Sequence, residues 1–161
     1  MTIQIDTREK QKAIQAILRA FDNEGAEHIS SKLYVGDYMN FDNPRVIVDR
    51  KQNLNELCSN VCQQHKRFIA EIERANAAGI RLVFLCEHGK GVRTLSDVNS
   101  WYNPRLKKSP NAVSGQRLFK ILYTIHKKYG VEFEFCTKEE TGHKILELLS
   151  QKPKNGVVDK G

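Results

Sequence analysis

The sequence predicts a three-layer α/β domain in which a central mixed sheet lies between two layers of helices. Three observations carry that expectation. Segments with apolar residues at helical spacing alternate with short runs rich in Val, Ile, Tyr and Phe. Two of those runs are separated only by Asp42-Asn43-Pro44, which is turn composition, so they read as an antiparallel hairpin set inside the sheet. Residues 81–86 form a continuous apolar run, the pattern of a strand covered on both faces. Interleaved strands and helices stack as layers because each apolar face needs a cover.

Residues 2–6 read as the first strand. Residues 9–23 read as a helix, with Ile14, Ile17, Leu18 and Phe21 on one face and Gly25 past its end. The hairpin strands are 33–41 and 45–51. A long helix is expected over 54–77, with Leu57, Val61, Phe68 and Ile72 inward and Gly79 as its stop. Residues 88–115 are the least regular part, punctuated by Gly89, Gly91, Pro104 and Pro110, with Trp101 and Tyr102 anchoring a short helix. Helical spacing returns over 116–129 through Leu118, Ile121, Leu122 and Ile125, and Gly130 stops it. Residues 131–136 alternate as a strand, and Thr137-Lys138-Glu139-Glu140 is a capping box that opens a last helix through Leu149. Residues 1–150 thus form one domain, and the lysine-rich 151–161 reads as a disordered tail.

The hairpin carries the chemistry. A three-residue loop sets Phe41 opposite Arg45, Met39 opposite Ile47 and Asp37 opposite Asp49, with facing Cβ atoms about 5 Å apart. Gly36-Asp37 alone is turn chemistry, and Asp49-Arg50-Lys51 alone is a charged strand end. In facing register, however, two carboxylates repel unless one is protonated or a cation lies between them, and oxygen ligands suit magnesium or manganese. Asp49 and Lys51 project from one face about 7 Å apart, while Arg50 points to the other, where it braces the site or meets a neighbouring acid. An ion between acids with an ammonium beside it is a site for hydrolysing phosphodiesters. Asp6, in Asp6-Thr7-Arg8-Glu9, reads both as a helix N-cap and as a strand-end carboxylate facing the ion. Glu9 and Glu56 are outer candidates that read first as helix-start charges, and Glu87, ending a buried strand, reads either as a site neighbour or as a solvated edge.

The order Asp6-Thr7-Arg8-Glu9, Tyr34-Val35-Gly36-Asp37-Tyr38, Val48-Asp49-Arg50-Lys51 and Leu82-Val83-Phe84-Leu85-Cys86-Glu87 resembles the XPF/Mus81 (ERCC4-type) nuclease domain, over about residues 3–149. The resemblance implies the restriction-endonuclease-like PD-(D/E)XK fold. It implies a catalytic block of Asp37, Asp49, Lys51, Arg50 and Asp6, in which Asp37, Asp49 and Asp6 bind Mg2+ or Mn2+, and it places Gln64 where the family keeps a helix glutamine near the site. It further implies a structure-specific DNA endonuclease for flapped, forked or branched DNA, acting in repair, recombination or the replication of a virus or mobile element. The alternative is a catalytically inactive DNA-binding partner subunit. This sequence has Asp49 where the family has Glu before Arg-Lys, and Asn55 where it has an acid, with Glu56 one place later. The family's tandem helix-hairpin-helix module has no counterpart here, so DNA grip is expected from a homodimer, a partner protein or the chain's own basic surface.

Composition fits that expectation. The 161 residues carry a net charge of +7, which favours a polyanionic partner, and no run is long enough to span a membrane. The start has neither the basic region nor the apolar run of a secretory signal, so an intracellular place, cytoplasmic or nuclear, is expected. Cys58, Cys62, Cys86 and Cys136 make no Cys-x-x-Cys pair and read as buried reduced thiols, and the five histidines lack ligand spacing. No Gly-rich phosphate loop precedes a Lys-Ser or Lys-Thr, which argues against a nucleotide-driven motor. Arg117, Lys120, Thr124 and Lys127 line the polar face of the 116–129 helix, and Arg105, Lys107 and Lys108 precede it. Any one of these lysines is ordinarily a solvated charge, but as a group they are expected to track phosphates, together with Arg8 and Gln64 beside the acids.

Overall fold

The structure, a computed structural model, describes residues 1–89 and 91–151; the tail expected over 151–161 lies, beyond its first residue, outside the described residues. In chain order the main elements are β1 (Thr2–Ile5), α1 (Gln15–Asn23), β2 (Glu27–Ser30), β3 (Tyr38–Asn40), β4 (Asn43–Lys51), α2 (Leu54–Cys62) and α3 (His65–Ala77). They continue with β5 (Arg81–Glu87), α4 (Gly115–Tyr129), β6 (Glu132–Cys136) and α5 (Thr141–Leu149). The strands form one mixed sheet in the order β2-β1-β3-β4-β5-β6. β3 runs antiparallel to both its neighbours, and the other pairings are parallel.

Period-two burial along the central strands makes the three layers. Val46 and Val48 face a core shared with Phe21 of α1 and with Ile145 and Leu149 of α5. Ile47 faces the opposite core, among Leu57 of α2, Phe68 and Ile72 of α3 and Leu122 of α4. β5 does the same, with Val83 and Leu85 on one side and Leu82, Phe84 and Cys86 on the other, so the strand is covered on both faces as its sequence predicts. Phe84 stacks on Phe68 and Phe133, with centroids 4.6 and 5.4 Å away. At Gly142 a Cβ would meet Ala20 Cβ and the Ile17 carbonyl, so the missing side chain is what lets α5 lie against α1. Among the described residues, no helix is long and apolar enough to cross a membrane.

Several local expectations are corrected. β2 was not anticipated; its residues are largely exposed and polar, so it carries no alternation. The first helix opens as a single 3-10 turn, Gln11–Ile14. The helix expected over 54–77 is two helices. Asn53 caps the first by accepting from the Glu56 amide at 2.8 Å, and the chain breaks where the amides of Gln63 and Gln64 both turn back to the Ser59 carbonyl. Short 3-10 helices span Leu95–Ser100 and Pro104–Lys107, and Trp101 and Tyr102 lie between them. In the hairpin, Met39 pairs with Ile47 as expected, but a register shift after Met39 pairs Asn40 with Asn43. The turn is therefore Phe41-Asp42, and the expected Phe41 to Arg45 pair does not form. The Asn40 side chain, which accepts from the Asp42 amide at 3.0 Å, makes the tighter turn possible.

Candidate active site

β3 begins only at Tyr38, not at residue 33 as expected, because the chain bends at Gly36, whose φ is +69°. Glycine is required there on two counts: the left-handed backbone, and a Cβ that would run into Ile47 Cγ2. The bend frees Asp37 from the ladder without detaching it. Its amide donates to the Val48 carbonyl at 2.9 Å, its own carbonyl accepts from the Asp6 amide at 2.8 Å, and its Oδ2 accepts from the Arg50 amide at 2.8 Å. The Asp37 carboxyl therefore sits beside β4 where Asp49 emerges. Burial, then the charge of Asp49, then that of Glu9, push this carboxyl well above the ordinary aspartate range.

Asp49 and Lys51 continue the face of Ile47, under α2 and α3. Asp49 is only 6 % exposed, and burial pushes its carboxyl up to about 7 despite the opposing pull of Lys51. Lys51 Nζ lies 3.3 Å from Asp49 Oδ1 and 5.9 and 5.8 Å from the centroids of the Phe68 and Phe84 rings, so its ammonium is held in one place. Burial alone would lower its affinity for a proton, but Asp49, Glu71 and Asp37 more than offset that, and it stays charged. Asp37, Asp49 and Lys51 all line one open cleft of about 450 Å³ between the sheet and α2–α3. Both acids thus reach one cleft, Asp37 through a side chain at a bend rather than through a continuous ladder.

Arg50 projects from the opposite side of β4 and braces the frame. Its guanidinium donates to both carboxylate oxygens of Glu9, at 2.7 and 3.2 Å, and to Glu87 at 3.1 Å. Glu9 also accepts from the Tyr38 hydroxyl at 2.7 Å. Glu9, half-buried and lining the cleft, and the buried Glu87 are therefore ion-pair partners of Arg50, neither a helix-start charge nor a solvated strand end. Asp6 is placed differently from the expectation that it faces an ion. Its side chain does not line the cleft, and its oxygens accept from Arg8 Nε at 2.6 Å, the Arg8 amide at 3.0 Å and the Leu33 amide at 2.8 Å. Burial would raise this carboxyl, but those donors lower it below its ordinary value.

Other predicted residues divide. Arg8 and Gln64 line the cleft; Gln64 accepts from Asn60 at 2.8 Å. Arg117, Lys120 and Lys127 are exposed on α4, and Arg105, Lys107 and Lys108 are exposed before it, and none of these six lines the cleft. Arg105 instead borders a separate groove with Asn55 and Cys58. Asn55 thus faces away from the acids, while Glu56 lines the cleft and accepts from the Gln52 amide at 2.6 Å. Three residues of α3 escaped the sequence argument: Arg67, Glu71 and Arg74 line the cleft, and Glu71 hydrogen-bonds both Asp49 and, at 3.0 Å, the Gly36 amide. Their signal was the polar spacing 64, 67, 71, 74 on one helix face. The cleft's acids offer only oxygen donors, the chemistry of a hard cation. Among the described residues, no group of three or more His, Cys, Asp or Glu side chains gathers as a ready metal cage.

No curated protein sequence matches this chain. Solved structures share its fold, two of them as follows. XPF from Aeropyrum pernix superposes with a TM-score of 0.65 at 19% identity, over 92% of this chain and 63% of that one. XPF from Aeropyrum pernix in complex with DNA gives 0.65 at 17% identity, over 92% and 62%. The chain therefore spans less than two thirds of the length of these relatives. The ERCC4 domain model matches residues 5–148, nearly the whole described molecule. On that match, the chain belongs to the ERCC4 domain family, the nuclease family that its motifs resemble.

Proposed function

We propose that this chain is a Mg2+- or Mn2+-dependent DNA endonuclease that hydrolyses phosphodiester bonds in flapped, forked or branched DNA, during repair, recombination or the replication of a virus or mobile element. The observation that supports it most is the shared cleft, with Asp37 and Asp49 on its wall and Lys51 Nζ 3.3 Å from Asp49. A solved relative of the same fold in complex with DNA supports the choice of polymer.

The donor set fits the ion. Two crowded carboxylates, each raised by burial and by a neighbouring negative charge, gain most from a dication between them, and Asp37 and Asp49 would hold it. When bound, such an ion polarises the phosphoryl group and makes water a better nucleophile. The chain's own residues supply the rest. Lys51, pinned by Asp49 and two aromatic rings, donates a hydrogen bond that orients the attacking water or a non-bridging phosphate oxygen. The Arg50 amide fixes the Asp37 carboxyl, and the Arg50 guanidinium ties that part of β4 to Glu9 and Glu87. Asp6 works at one remove, clamping Arg8 and Leu33 behind the Gly36 bend. Grip on the duplex beyond the cleft falls to the basic surface of α4 and its preceding loop, or to a second copy or partner protein.

Incubation with labelled flap, fork and duplex DNA in Mn2+ tests the reading. Cutting is expected of the wild type, abolished in Asp37→Ala and Asp49→Ala while gel-shift binding persists. Unchanged cutting by both variants would overturn the site; binding without any cutting by the wild type would make the chain an inactive partner subunit.

A further inference from the structure

Asp37 lies just before β3 and Asp49 near the end of β4, where the ladder ends, and the Arg50 amide holds only the Asp37 carboxyl of the two. One side chain spans both. Glu71 reaches down from α3, accepts from the Gly36 amide through Oε2 at 3.0 Å, and hydrogen-bonds the Asp49 carboxyl. Gly36 is the bend that sets the direction of Asp37, so Glu71 touches the determinant of one acid and the other acid itself.

We propose that Glu71 is a positioning residue that holds the two acids at cation-binding separation from the helix layer. Its functional consequence rests on the nuclease reading above; its structural part does not. Two carboxyl groups bond only by sharing a proton, whereas a glutamine amide donates to Asp49 outright and still offers Gly36 an acceptor. Gln at 71 therefore keeps both contacts, and Ala keeps neither. A side chain that directly ligates the ion would behave otherwise, because a neutral amide is a much poorer ligand for Mg2+ or Mn2+ than a carboxylate.

The test uses the whole chain and two readouts. In calorimetric titration with Mn2+ alone, Glu71→Ala is expected to weaken binding by about 10- to 100-fold, as loss of a group supporting a ligand typically does, while Glu71→Gln stays within a few-fold of wild type. In NMR, hydrogen exchange of the Gly36 amide is expected to accelerate in Glu71→Ala and stay near wild type in Glu71→Gln. Unchanged Mn2+ affinity in Glu71→Ala overturns the proposal, and so does a Gln variant as weak as the Ala variant, which would make Glu71 a ligand. If the wild type binds no Mn2+, the nuclease reading fails instead. Gly36 protection then decides the structural part alone, and exchange unaltered in Glu71→Ala would overturn it.

Discussion

Asp6 and Gly36 illustrate how single residues set the Asp37 bend without touching substrate. The Asp6 carboxylate takes the Leu33 amide and two donors of Arg8, and Arg8 Nη2 in turn donates to the Gly36 carbonyl at 3.2 Å. Asp6→Ala leaves a buried Leu33 amide unpaired and is expected to cost about 1–3 kcal/mol in urea unfolding. The same contact predicts a pH effect. Because the folded carboxyl is held below its ordinary 3.8, its contribution is complete above that value and is lost as pH falls through the lower folded one. Acid unfolding of the wild type should therefore show a limb below pH 3.8 that Asp6→Ala lacks, and equal limbs would refute the role. At Gly36, a left-handed backbone and a Cβ overlap with Ile47 combine, so Gly36→Ala should destabilise by about 2–4 kcal/mol. Asp6 was legible in the sequence as an important carboxylate but not as a clamp, because its partner Leu33 lies 27 residues away and only the fold brings it near.

Between elements, Arg50 and the cleft face of α3 are the joints. Arg50 is buried and links β4 to β5 through Glu87 and to the segment after β1 through Glu9. Arg50→Ala strands the buried Glu87 and deprives half-buried Glu9 of its cation, and a loss of about 3 kcal/mol, read by chemical denaturation, is expected. The sequence placed Arg50 on the far side of its strand, because period two dictates it, and predicted that it braces the site or meets an acid there. It could not say which acid, since Glu9 and Glu87 meet only after the strands are ordered. The α3 face was missed for a related reason. The spacing of Gln64, Arg67, Glu71 and Arg74 makes one polar stripe, but which polar stripe looks at the acids depends on how α3 docks, and the break at Gln63–Gln64 changes that docking. Arg67 and Arg74 form no ion pair among the described residues and flank the cleft. If they grip phosphates, the Arg67→Ala, Arg74→Ala double variant should weaken DNA binding evenly across sequences. It should also lower the salt slope of log Kd by about 2, as loss of two phosphate contacts requires. A slope equal to that of the wild type would assign DNA contact to the α4 surface alone.

For the molecule as a whole, the layered fold was legible because its signals are repetitive: two-faced apolar strands and stripes on helices reinforce one another over many residues. β2 broke the pattern because an exposed edge strand needs no apolar face. The same whole-molecule economy makes the acid pair a stability cost. Burial raises Asp49 to about 7 and Asp37 well above its usual range, so the folded protein holds these protons more tightly than the unfolded chain. Stability from that difference is present below about pH 3.8, where both states are protonated alike, and is lost progressively as pH rises through about 7, where Asp49 must ionise in place, with Asp37 adding to the loss as it too ionises. A cation that binds only the folded, ionised pair restores it by mass action, about 2.7 kcal/mol at a hundredfold excess over Kd. Thermal melting should therefore show a larger Tm gain from Mn2+ at pH 8 than at pH 5.5. In a chelator at pH 8, Asp49→Asn, which keeps the shape and removes the charge, should melt at or above the wild type and gain little when Mn2+ is added. A variant that melts well below the wild type without metal would mean that the carboxylate is structural, and that the strain placed on it here does not exist.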